Sequence, residues 1–118
     1  MAKYKKYNGT DKYHFRFYRI NGQHPFLVVL VETKNENGKH YFSGYIITHD
    51  ITKKIQYPNK YIQLHNNPNP KDEAPSYLCK IRLEGIPEKM ISKPFNNWHL
   101  SKEDEKMVDK LEEKKKSS

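Results

Sequence analysis

Cysteine is nearly absent from this chain. The single Cys79 cannot close an internal disulfide and cannot by itself build a zinc site. It is expected as a small buried hydrophobe in a strand. Long apolar runs are missing too: the longest, Phe26 to Val31, is six residues, against the roughly twenty that span a bilayer. Met1 to Thr10 carries basic residues with no apolar stretch behind them, so no cleavable secretory signal is visible. The expectation is a cytoplasmic chain with no membrane segment. Apolar residues are scarce overall, 37 of 118 when Gly is counted and Tyr is not, and that is a lean supply for a core. With 118 residues there is room for one domain, which argues against a two-domain enzyme.

Aromatics make up the shortfall. Nine Tyr, five Phe and one Trp each bury a large area, and Tyr and Trp keep a polar tip. Charge is plentiful and unevenly placed: the formal net charge is +8. Residues 1–24 carry a net +5, residues 25–101 a net +3, and residues 102–118 balance to zero. A basic surface of this kind attracts polyanions, so nucleic acid is the leading partner class, with a merely solubilising surface as the plain alternative.

Period-2 alternation marks Tyr13 to Ile20 as a half-buried strand, with Tyr13, Phe15 and Phe17 on one face and His14, Arg16 and Tyr18 on the other. Asn21-Gly22 reads as a tight turn, and Pro25 to Val31 as a central strand that places Pro where a missing donor does least harm. Asn37-Gly38 gives a second hairpin signal before a strand over Tyr41 to Thr48. Tyr61 to Leu64 and Tyr77 to Leu83 supply two further strands. Between them, Asn66 to Pro75 holds three Pro and three Asn and is expected as a surface loop. Ser101 ahead of Lys102-Glu103-Asp104 is a helix start, with Met107, Val108 and Leu111 forming a narrow apolar stripe. The expected organisation is a flexible basic stretch over 1–12, one domain over 13–112 with its helix from about 101, and a frayed charged tail over 113–118. The fold class is mainly β, a compact, strongly bent sheet or small antiparallel barrel with a C-terminal helix.

In order along the chain stand Gly22-Gln23-His24-Pro25-Phe26-Leu27-Val28-Val29, Tyr45-Ile46-Ile47-Thr48, Ser76-Tyr77-Leu78-Cys79-Lys80-Ile81-Arg82, and His99-Leu100-Ser101-Lys102-Glu103-Asp104 with Val108-Asp109 and Leu111. This succession resembles the MazF/PemK family of toxin endoribonucleases over about Gly22 to Leu111. His24 stands where that family has Arg before Pro, and the connection from Ile20 to His24 is shorter than the family's first loop. The resemblance implies an SH3-like barrel, a homodimer, an antitoxin protein as partner, and metal-independent cleavage of single-stranded RNA by attack of the ribose 2′-hydroxyl on the phosphate.

Such a reaction needs a proton acceptor, a proton donor and groups that stabilise charge on the phosphoryl oxygens. By the resemblance, His24 serves as acid or base, Thr48 contacts the phosphate and Arg82 clamps it through its planar fork. His49 is a second acid/base candidate. Each has an ordinary alternative: a surface histidine, β-propensity at a strand end, a solvated strand arginine. Arg16, Arg19, Lys53 and Lys54 are candidates for phosphate contacts, and Tyr57 or Tyr18 for stacking on a base. Phe15 and Phe17 are assigned to the core, and Trp98 to pinning the helix on the sheet. No metal or cofactor is expected, because the six His, at 14, 24, 40, 49, 65 and 99, lack short ligand spacing. Two other functions stay open: a non-catalytic nucleic-acid-binding barrel, and a toxin-like protein that inhibits another protein.

Overall fold

The computed structural model describes residues 4–6, 16–20, 24–34, 38–95 and 97–117. Its long central hairpin forms where alternation and turn chemistry agree. β3 (Pro25–Lys34) and β4 (His40–Thr48) pair antiparallel, and Gly38 just before β4 takes φ 67°, a conformation that favours glycine. β1 (Tyr4–Lys6) and β2 (Phe17–Ile20) share the outer edge of β3, which Tyr4 meets at Lys34 and Phe17 at Leu27. Positions 13–15 and the Asn21-Gly22 turn lie outside the described residues.

The expected strand Tyr77 to Leu83 is divided. β6 (Tyr77–Cys79) pairs with the end of β4, Leu78 opposite Ile47, and with β5 (Tyr61–Gln63). β7 (Leu83–Pro87) then pairs with the first half of β4, Leu83 opposite Gly44. Lys80, Ile81 and Arg82 bulge between them, because five steps from Leu78 to Leu83 lie against three from Ile47 to Gly44. Cys79 is half-buried rather than enclosed. A 3₁₀ turn, Glu88–Met90, leads into β8 (Ile91–Pro94), which returns beside β2.

The sheet runs β5-β6-β4-β3-β2-β8. The end strands β5 and β8 do not pair with each other among the described residues, so the expected barrel is an open, curled sheet. The curl follows from burial. Phe26, Val28, Val31 and Phe42 are buried against Tyr18, Ile20, Ile46, Leu83, Ile86 and Ile91, all from this one sheet. A sheet can enclose one of its own faces only by bending over it, and the short link between β7 and β8 draws its margins together.

The other face packs on the C-terminal helix. Phe17, Leu27, Val29, Tyr45, Ile47, Leu78, Leu100 and Val108 form this second core. α2 (Lys102–Ser117) begins as the sequence indicates, Ser101 Oγ accepting from Asp104 N at 3.1 Å. It runs to Ser117, and Glu112 ties it to the sheet. A further helix, α1 (Ile51–Gln56), has no counterpart in the sequence reading. Asp50 caps it by accepting from Thr52 N at 2.9 Å, and it buries no residue. Among the described residues, no helix is long and apolar enough to cross a membrane.

Candidate nucleic-acid interface

β4 ends in Thr48 and β3 begins after His24. Each lies two residues beyond the last pair of this hairpin, Phe26 opposite Ile46. The two therefore occupy the same end of the sheet. His24 is exposed and its carbonyl accepts from Ile20 N at 3.4 Å. Thr48 is mostly enclosed, and its hydroxyl oxygen accepts from Asp50 N at 3.1 Å, helping to turn the chain into α1.

Arg82 does not join them. The bulge after β6 sets it alongside Tyr45, on the face covered by α2. Its Nε and Nη2 donate to the two oxygens of Glu112 at 2.8 and 2.9 Å, and its Nη1 donates to Glu84 at 2.5 Å. Only 10% of the side chain is exposed. Burial opposes its charge, but hydrogen bonds and attraction from Glu112 and Glu84 outweigh that and raise its pKa. Tyr45 donates to the same Glu112 at 2.5 Å. The guanidinium thus joins helix to sheet and is not a solvated strand face.

What gathers at the His24–Thr48 end is an aromatic cluster with one cation over it. The Trp98 ring lies 4.5 Å from Phe95, 5.7 Å from Phe17 and 6.1 Å from His49, and the Arg19 guanidinium stands 4.9 Å above Phe95. Trp98 N donates to Phe95 O at 3.2 Å, so a tight turn brings the two rings side by side. Phe95 N donates to Phe17 O at 2.8 Å and anchors that turn to β2. Beyond Trp98 opens a pocket of about 240 Å³, lined by Asn69, Pro70, Lys71, Phe95, Asn97 and Trp98.

The remaining expected contacts scatter. Arg16 and Tyr18 line a hollow on the other face of the sheet with Glu88, Ile91 and Ser92. Lys53 is exposed on α1, while Lys54 donates to Pro58 O at 3.1 Å. Tyr57 is exposed, with the Lys60 ammonium 5.2 Å over its ring. Phe95, Asn97, Asn69 and Lys71 were not anticipated as site residues. Their signal was Pro94-Phe95-Asn96-Asn97-Trp98, two aromatics three apart in a polar stretch just before a helix cap.

No protein-family model, curated protein or solved structure matches the chain.

Proposed function

We propose that the protein binds single-stranded RNA through the sheet end where Arg19, His49, Phe95 and Trp98 meet. The observation that carries this reading is the Arg19 guanidinium above Phe95, beside a half-exposed Trp98. Stacked rings offer a platform that any base can use, and cations beside them neutralise the backbone. The strand succession β7-β4-β3-β2-β8, with a three-residue turn joining its two ends, supports placing the fold among SH3-like, MazF/PemK-type barrels.

Metal-independent cleavage is the second reading, favoured by His24 and Thr48 sharing that end. With Arg82 bound by two carboxylates, Arg19, above Phe95, takes the phosphate-facing role in this reading. Labelled single-stranded RNA titrated with the protein in EDTA separates the two. Salt-sensitive binding of intact RNA supports the binding module, and discrete cuts that vanish in His24→Ala support the nuclease. No binding at low salt sinks both.

A further inference from the structure

We propose that the pocket beside Trp98 receives one unpaired nucleobase of a bound strand, with Lys71 on an adjoining phosphate; this rests on the RNA-binding function above. One wall is aromatic and held from behind. Phe95 and Trp98 are inclined by 31°, and Phe17 and His49 fix Trp98 on its other sides. The facing wall is the turn at 69–71, whose shape is set by its own hydrogen bonds. Asn69 Oδ1 accepts from Lys71 N at 3.0 Å, Asn69 N donates to Asn67 Oδ1 at 2.9 Å, and Asn69 O accepts from Asp72 N at 3.1 Å. A bond from His99 N to Pro68 O, 3.1 Å, ties the two walls together.

Their spacing is therefore built in before any ligand arrives. Because its oxygen is engaged, Asn69 offers a donor at Nδ2, and Asn97 offers a whole carboxamide. Neither these groups nor the Lys71 ammonium has a partner among the described residues. A planar ring to stack, a donor and acceptor edge to pair with amides, and a nearby negative charge are the three features of a nucleotide that this wall set complements. The size agrees. About 240 Å³ lies below the roughly 300–1,000 Å³ of sites for drug-sized ligands, which suits one base.

Trp98 is the only tryptophan in the chain, so its emission reports on this pocket alone. The full-length protein is titrated with a fluorescein-labelled single-stranded RNA octamer, read by label anisotropy and by Trp98 emission, and in parallel with inorganic polyphosphate of matched charge. The expected result is quenching by RNA and none by polyphosphate, with Asn97→Ala weakening RNA binding roughly three- to tenfold while leaving the unfolding midpoint unchanged. RNA that binds by anisotropy without quenching Trp98, or polyphosphate that quenches equally, overturns the base pocket and leaves RNA binding standing. Absence of any anisotropy change at low salt overturns RNA binding and the pocket with it.

Discussion

At Gly44 the sheet leaves no room for a side chain. A Cβ there would lie 1.8 Å from the backbone oxygen of Leu27 and 3.0 Å from the Phe26 ring. Backbone cannot swing aside as a flexible side chain can, so Gly44→Ala must push β3 and β4 apart at the bulge shared with β7. We expect a loss of about 3 kcal/mol or more, read as a lower urea midpoint; a change below about 0.5 kcal/mol would contradict this close approach. Tyr45, the next residue, makes a prediction in pH. Burial first, then the hydrogen bond and charge of Glu112, raise its phenol pKa above the ordinary 10.0. A folded-state pKa above the unfolded one means that stability is fully present below pH ~10 and is lost as pH rises through the raised value. Thermal melts of the wild type should therefore fall in alkali above pH ~10 more steeply than those of Tyr45→Phe. Parallel curves for the two proteins would refute the assignment.

The elements differ in how plainly residues announce them. β3 and β4 were legible because alternation, Pro25 and Asn37-Gly38 all pointed one way, and α2 because Ser101 precedes an acidic turn. α1 was not, since six residues with two Ile spaced four apart give too little period to detect. β7 and β8 escaped for another reason: Glu84-Gly85 and Ser92-Lys93-Pro94 acquire strand geometry from β4 and β2, not from their own propensity. The same holds at the site. His24 and Thr48 share one end of the sheet through a local hairpin, whereas Arg82 is claimed by Glu112, thirty residues on, a partnership that spacing does not reveal. Asp104 shows a helix-cap residue doing a second task. It reads as a carboxylate complementing the start of α2, yet it is fully buried and accepts from His65 N at 2.9 Å and Asn66 N at 3.3 Å, with His65 Nδ1 at 3.0 Å. The loop that carries Asn69 and Lys71 therefore leaves β5 under the control of α2. Asp104→Ala strands those amides and should cost about 2–3 kcal/mol, with His65 and Asn66 amides losing hydrogen-exchange protection before the β3–β4 hairpin does. Loss spread evenly over the sheet would show that Asp104 is not a local pin.

Across the whole molecule, charge is separated from packing. α2 holds as many acidic as basic residues, and its Glu112 is committed to Arg82, so the net +8 resides outside α2. Only part of that excess faces the proposed interface. Arg19 and Lys71 flank the Phe95–Trp98 rings, whereas Arg16 lies on the opposite face and Lys106 on the exposed side of α2. Cations that touch a strand release condensed counterions, and each phosphate neutralised contributes about −0.7 to the slope of log K against log salt for single strands. Net charge merely nearby raises the encounter rate without adding to that count. Arg19→Ala and Lys71→Ala should thus each make the measured slope shallower by about 0.7, and the double variant by about twice that if the two cations act independently. Lys106→Ala removes the same formal charge and should leave the slope unchanged. Equal effects from all three substitutions would mean that RNA responds to overall charge, and that the aromatic end of the sheet is not where the strand lies.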